Sequence, residues 1–246
     1  LWPVNSYDLA DFAMRHGVTY VSTDQPQGMK RLMDSIRELR WKQEKKLICF
    51  DLDGTLTQHK TPLTAANRAV LDTLAKRYEI IMAGGGNCAR IYKQMGEYPI
   101  TILGNYGMEE SRIVDGKFKM VMEEKAPIDR KFFQKNCDYL RKKYDYTDYK
   151  GDPLEFHESG MVKEIFKDYS VFIGGTTSFD ITPKRYNKFD AVLRYAAEHG
   201  YSFDQILFVG DDFADGGNDS QIRLGGMDYI RIDDYTRLPE KLEFLF

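Results

Sequence analysis

Two carboxylates, Asp51 and Asp53, stand one residue apart where the apolar run Leu47-Ile48-Cys49-Phe50 ends, and Gly54 and Thr55 follow at once. Residues i and i+2 of a strand point to the same side, so continued β-structure sets these two side chains against each other. Their repulsion is costly unless a cation or a phosphoryl group lies between them. Gly54 lets the backbone leave the strand sharply, so both carboxylates can crowd one reaction centre. A second apolar run, Gln205-Ile206-Leu207-Phe208-Val209, also empties into acid: Gly210-Asp211-Asp212, continuing to Gly216-Gly217-Asn218-Asp219. Two such strands meeting as parallel neighbours gather oxygen ligands of the kind Mg²⁺ takes together with a substrate phosphate. An aspartate so placed can attack phosphorus and form an aspartyl-phosphate, dividing one hard displacement into two. Asp51 is the candidate nucleophile. Asp53 is the candidate acid and base, giving a proton to the leaving oxygen and later taking one from the attacking water. Mg²⁺ offsets charge on the transferring group, and a lysine is needed for the remaining oxygens.

Such a site sits at the carboxyl end of a parallel sheet, and the surrounding sequence supplies one. Leu47 to Leu52 reads as a strand, Leu63 to Tyr78 as a helix with an apolar stripe, and Glu79 to Ala83 as a strand. Cys88 to Met95 reads as a helix and Ile100 to Leu103 as a third strand. This alternation predicts an α/β, Rossmann-like parallel sheet with helices on both faces. Near Met108 the rhythm changes. Ser111 to Val121 reads as a hairpin turning at Asp115-Gly116, and a helix is expected from Ile128 to Tyr144. Leu154 to His157, Gly160 to Phe166, Ser170 to Ile173 and Ser178 to Thr182 read as short strands. Strands in succession with tight turns predict an inserted α+β cap, which can exclude water from an acidic centre. The first rhythm returns with a helix from Asn187 to His199, the strand at Gln205, a helix near Ser220 and a strand from Met227 to Ile232. The expected division is a core of residues 47–107 and 184–246, a cap of 108–183, and an amino-terminal extension, 1–46. In that extension Ser6 to Arg15 and Gly28 to Lys45 read as helices and Val18 to Ser22 as a strand.

The composition sets limits. The chain has 246 residues, 42% hydrophobic and 30% charged, as soluble globular proteins do. A net charge of -3 argues against a general binder of nucleic acid or anionic membrane. The basic stretch from Lys30 to Lys46 is interleaved with Asp34, Glu38 and Glu44 and reads as a solvated helix face. Cys49, Cys88 and Cys137 show no paired spacing, so neither a disulfide framework nor a zinc cluster is expected, which suits a reducing compartment. With no long apolar run and no signal-peptide pattern, a cytoplasmic location is the default expectation.

These motifs resemble the haloacid dehalogenase-like phosphatases, in the branch whose α/β cap lies between the second and third core motifs. Asp51-Leu52-Asp53-Gly54-Thr55 matches the first motif in full. Within the family, the eukaryotic-type phosphomannomutases are most similar in pattern. Gly210-Asp211-Asp212-Phe213-Ala214-Asp215-Gly216-Gly217-Asn218-Asp219 resembles their Gly-Asp-(x)4-Gly-Gly-Asn-Asp loop, and Ser178-Phe179-Asp180-Ile181-Thr182-Pro183 with Lys188 resembles their Ser-Phe-Asp-Val-x-Pro…Lys segment. The resemblance covers residues 47 to 246. It implies that Asp51 is nucleophile and metal ligand, that Asp53 is acid/base and binds metal through its main-chain carbonyl, and that Lys188 contacts phosphate. It also implies that Asp211 ligates Mg²⁺ with help from Asn218 and Asp219.

Two departures shape the functional expectation. The family's second motif carries a phosphate-binding Ser or Thr, yet here the segment reads Met82-Ala83-Gly84-Gly85-Gly86-Asn87, with Gly86 in the hydroxyl's place. Exposed amides of Gly85 and Gly86 can still meet phosphate oxygens. In the cap, Leu154-Glu155-Phe156-His157 resembles a strand in which the mutase has Arg at the position of His157, and Met161 to Asp168 offers only lysines, which do not reproduce a bidentate clamp. Ser178 and Asp180 hold positions that contact sugar in the mutase. The leading expectation is a Mg²⁺-dependent phosphomonoester hydrolase acting on a small phosphorylated metabolite such as a sugar phosphate. The alternatives are a phosphomannomutase-type mutase and a weakly catalytic sugar-phosphate-binding regulator. The sequence does not specify an oligomeric state.

Overall fold

The computed structural model describes residues 3–15, 22–126, 128–144, 156–174 and 178–246. Two helices open the chain, α1 (Tyr7–Arg15) and α2 (Pro26–Glu44). Then come β1 (Leu47–Phe50), α3 (Ala65–Leu74), β2 (Glu79–Ala83), α4 (Cys88–Gln94), β3 (Thr101–Gly104), β4 (Glu109–Val114) and β5 (Lys117–Glu123). Next are α5 (Arg130–Tyr144), α6 (Phe156–Ile165), β6 (Tyr169–Gly174) and β7 (Ser178–Pro183). The chain closes with α7 (Lys188–Glu198), β8 (Ile206–Gly210), α8 (Ser220–Leu224), β9 (Tyr229–Arg231) and α9 (Leu238–Leu242).

The main sheet has seven strands in the order β5-β4-β3-β2-β1-β8-β9. From β3 to β9 the neighbours are parallel, with Leu47 level with both Glu79 and Ile206, and Phe50 level with both Met82 and Val209. β1 is buried along its whole length, as a parallel strand covered on both faces must be. One face packs the Ile48, Phe50, Leu71 and Met82 cluster, and the other packs Leu47, Cys49, Val192 and Phe208. The chain proceeds from β1 to β2 and β3 on one side, and returns to β8 and β9 on the other. The carboxyl ends of β1 and β8 therefore flank the point where strand order reverses, the ligand crevice of open α/β sheets.

The hairpin expected in the cap belongs elsewhere. β4 runs antiparallel to β3, with Ile102 level with Ser111, so β4 and β5 extend the core sheet to its edge. Its turn is as expected: Asp115 and Gly116 both have positive φ, 53° and 71°, as a tight two-residue hairpin requires. A second correction concerns 160–166. Instead of a strand, these residues belong to α6 and the turn after it. Met161, Val162, Ile165 and Phe166 recur at helical spacing and pack with Phe132, Phe133, Leu140 and Val171. The two-stranded β6-β7 sheet, α5 and α6 thus form the compact layer beside the core. The expected strand at Leu154 to His157 lies partly outside the described residues, and Phe156 onward is helical.

The expected strand at Val18 to Ser22 also lies outside the described residues, except for Ser22, which the structure leaves outside any strand. Helix α2 is more than a solvated appendage. Trp41 enters the core cluster with its ring 6.4 Å from that of Phe244. Lys45 is buried, donating to the Asp228 carboxylate at 2.5 Å and to the Asp204 carbonyl at 2.7 Å. No helix among the described residues is long and apolar enough to cross a membrane.

Candidate active site

Asp51 is the first residue beyond β1. Its backbone N–H donates to the Val209 carbonyl at 2.8 Å, carrying the parallel pairing one step past the strand. The loop after β8 thereby comes beside Asp51, and the Asp51, Asp211 and Asp219 carboxylates converge with oxygens within 4.8 Å of one another. Gly54 makes this approach possible. Its φ is 92°, and a Cβ there would run into the Asp211 carboxylate. Thr55, fully buried, places its hydroxyl 3.4 Å from Asp51 Oδ2 and 3.3 Å from Asp211 Oδ1.

Lys188 begins α7. The Asn187 side chain caps that helix by accepting from the Asp190 N–H at 2.9 Å. From the first turn, fully buried, the ammonium donates to Asp51 Oδ1 and Asp219 Oδ1 at 2.6 Å each and to Asn218 Oδ1 at 2.7 Å. Its three protons are all used. The second Asp219 oxygen accepts from the N–H groups of Asp211 and Asp212 at 3.2 Å, so Asp219 also holds the loop in shape.

The electrostatics follow from burial. Removal from water pushes the Asp51 carboxyl up to about 8; Lys188 pulls it down, and the Asp219 and Asp211 charges push it further up. Asp211 is raised to about 6, again chiefly by burial. Burial disfavours a charged Lys188, but the Asp219 and Asp51 carboxylates outweigh that and hold it well above the ordinary lysine value. One ammonium thus faces three clustered carboxylates. An all-oxygen donor set carrying excess negative charge suits a hard divalent cation such as Mg²⁺.

Asp53 is turned away from this cluster. Its Oδ1 accepts from the Lys60 N–H at 2.8 Å and from Gln94 Nε2 at 2.6 Å, while Oδ2 lies 3.6 Å from Arg90 Nη1. Asp51, Asp53, Gly85, Gly86, Asp180, Asp211 and Asn218 all line one cleft of about 1270 Å³, together with Lys60, Arg90, Lys93 and Arg231. In its wall, the Gly84 and Gly86 carbonyls accept from the Tyr106 and Asn105 N–H groups at 3.1 and 2.8 Å, fixing the glycine loop against the turn after β3.

Asp180, on β7, reaches the cleft and accepts from the Tyr106 hydroxyl at 2.5 Å. Tyr106 has a φ of 56° and stacks on Phe172 of β6, with ring centroids 5.0 Å apart. His157 falls in the first turn of α6 and Ser178 opens β7, but the side chains of both lie outside the described residues. Sequence reasoning gave no role of its own to Thr55, Arg90, Gln94 or Tyr106. Arg90 and Gln94 had a legible signal: they lie four residues apart in the short helix after the glycine loop, so they share the face that follows it. Tyr106 had none.

The sheet order and crossovers are those of the haloacid dehalogenase-like fold. Solved structures agree. The IMP-bound, amino-terminally truncated IMP-nucleotidase of Plasmodium falciparum superposes with a TM-score of 0.70 at 14% identity, over 97% of this chain and 79% of that one. A haloacid dehalogenase-like hydrolase from B. subtilis gives 0.54 at 14% identity, over 72% and 86%.

Within this class the sequence is similar to the phosphomannomutases. The family model for eukaryotic phosphomannomutase matches residues 117–226. Phosphomannomutase 2 of Dictyostelium discoideum is 25% identical over 222 residues, 73% of this chain and 88% of that protein. The phosphomannomutase of Triticum aestivum is 26% identical over 219 residues, 72% and 85%.

Proposed function

We propose that this chain transfers phosphoryl groups from a small phosphorylated metabolite through an aspartyl-phosphate at Asp51. The observation that carries this reading is the buried Asp51 carboxylate, held 2.6 Å from Lys188 beside Asp211 at the switch point of the sheet. Asp51 attacks phosphorus, and the bond from phosphorus to the ester oxygen breaks. Asp53, steadied by Gln94 and the Lys60 amide, gives that oxygen a proton. The Asp53 carboxylate then takes a proton from the acceptor hydroxyl as that oxygen attacks phosphorus, and the bond from phosphorus to the Asp51 oxygen breaks to free the carboxylate. Lys188 counters the burial that favours a protonated Asp51 and aims its oxygen. Asp51, Asp211 and Asp219, with Asn218 and the Asp53 main chain beside them, would hold Mg²⁺, which offsets phosphate charge so that two anions can meet.

Two acceptors are open. A sugar hydroxyl gives a phosphomannomutase-type reaction, and the sequence relatives favour this reading over hydrolysis. Water gives a phosphatase, and the cap sequence supports this one: the only basic residues from Met161 to Asp168 are lysines, which do not reproduce a bidentate clamp. The structural neighbour that binds IMP adds nucleoside monophosphates to the substrates worth testing.

The test is a Mg²⁺-containing panel of hexose 1- and 6-phosphates, with and without a hexose bisphosphate, plus nucleoside monophosphates including IMP. Isomer interconversion outpacing phosphate release establishes the mutase, and net release establishes the phosphatase. Either activity should vanish in Asp51→Asn; unchanged turnover in that variant would sink the mechanism. Tight binding of a sugar phosphate without turnover would favour the regulatory reading instead.

A further inference from the structure

Gly86 leaves a gap in the wall of the cleft, and the structure fills that gap from elsewhere. A Cβ built at Gly86 would fall within van der Waals overlap of the Arg90 guanidinium, with Cζ only 2.7 Å away. The Arg90 side chain therefore occupies the volume that any side chain at position 86 would need. Arg90 stands in the first turn of α4, which Asn87 caps by accepting from the Arg90 N–H at 2.8 Å.

The guanidinium is also oriented. Nη1 donates to Gln94 Oε1 at 2.9 Å and lies 3.6 Å from Asp53 Oδ2, while Nε and Nη2 lie over Gly86. Gln94 in turn holds Asp53 at 2.6 Å and Thr57 Oγ1 at 3.1 Å. Arg90, Gly85, Gly86, Asp51 and Asp53 line the same cleft. A planar fork fixed on one edge, with its other edge at the glycine wall, has the geometry for grasping phosphate oxygens in pairs. A surface arginine serving only its own helix would need neither the empty position beneath it nor the contact with Asp53.

We propose that Arg90 is a phosphate-binding residue, its guanidinium supplying from the Gly86 side the contact that a hydroxyl at position 86 would otherwise make. The assignment deepens the phosphoryl-transfer reading and rests on it for its catalytic part. It makes Gly86 a complement to Arg90: the position has to be bare for the guanidinium to lie there.

The test compares wild type, Arg90→Lys, Arg90→Ala and the double variant Gly86→Ser/Arg90→Ala, all with Mg²⁺. Orthophosphate affinity is measured by calorimetry, turnover on the best substrate of the panel, and folding by thermal midpoint. Arg90 is 43% exposed, so the midpoints should agree. Arg90→Ala should weaken orthophosphate binding and lower kcat/KM by roughly a hundredfold. Arg90→Lys should restore part of the loss, since it keeps the charge without the fork. The double variant should recover about tenfold over Arg90→Ala, as one restored hydrogen bond to a charged group allows. An Arg90→Ala protein that binds orthophosphate as tightly as wild type overturns the proposal, and so does a double variant no better than Arg90→Ala. A wild type without turnover, whose orthophosphate affinity still depends on Arg90, would overturn the functional reading and leave this assignment standing.

Discussion

The Nζ atom of Lys188 lies 2.6 Å from Oδ1 of Asp51, and both side chains are withdrawn from water, at 0% and 7% exposure. Lys188 therefore pulls a buried carboxyl back toward ionisation, against the push of burial, and is the cation nearest to it. Replacing it with Met keeps the shape and removes the charge, leaving Asp51 and Asp219 facing each other. Breaking a buried pair in this way costs about 3–5 kcal/mol. Lys188→Met should lower stability by about that amount in the absence of metal, should be inactive, and should regain part of its stability on adding Mg²⁺. Denaturant titrations with and without Mg²⁺ measure this.

The raised carboxyl of Asp51 gives the metal-free protein a definite pH dependence. Its ordinary value is 3.8 and its buried value is about 8, so between these limits the folded chain holds a proton that the unfolded chain has released. Stability must then fall as pH rises through that window. Mg²⁺ prefers ionised carboxylates, so its stabilising effect should grow with pH across the same range. Thermal midpoints at about pH 5 and about pH 8, with chelator and with Mg²⁺, check both signs. A metal-free midpoint that rises with pH would contradict the assignment.

Gly54 is the point where two acidic loops come closest. Gly54→Ala adds a Cβ into the Asp211 carboxylate and forces a residue with φ 92° to carry a side chain. The loop must shift, and Asp211 with it. Mg²⁺ affinity should fall by about tenfold or more, as one misplaced ligand or its support does, with a parallel loss of turnover. Calorimetric Mg²⁺ titration of the variant is the measurement.

Tyr106→Phe keeps the ring stacked on Phe172 and removes only the hydroxyl that Asp180 accepts. Losing a hydrogen bond to a charged group costs about 1.5–3 kcal/mol where it is buried. Because Asp180 lines the cleft from the cap side, the loss should raise KM more than it lowers kcat. An equal fall in kcat with KM unchanged would assign Tyr106 to the chemical step instead.

How much of this was legible in the sequence depended on range. The apolar run into Asp51 and the one into Asp211 announced two adjacent parallel strands, and the pairing of Phe50 with Val209 bears that out. The turn at Asp115-Gly116 was equally readable, because its residue types suit positive φ. Where the hairpin would pair was not. Nothing local in Lys117 to Glu123, mostly exposed, tells that β4 lies on β3. The segment around Val162 misled because short apolar runs suit strand and helix alike, and only the packing of Phe166 on Phe132 and Phe133 decides. In the site, Asp51, Lys188, Asp211 and Asp219 come together. Arg90 and Tyr106 escaped notice because their contacts, with Gly86 and with Asp180, come from a helix folding back and from a cap docking down. The docking of α2 through Trp41 and Lys45 escaped for the same reason: the partners are Phe244 and Asp228, at the far end of the chain.

That far end matters for how the protein must be made. Asp51 and the lysine it touches are separated by 137 positions, and β8, which pairs beside β1, comes later still in the chain. A ribosome that has released the first half of the chain has produced Asp51 but neither Lys188 nor the acidic loop it meets. Long-range pairing of this kind is slow to form, so activity should return last in refolding, after helices and local hairpins have recovered their signals. Turnover would then serve as a clock for completion of the central sheet.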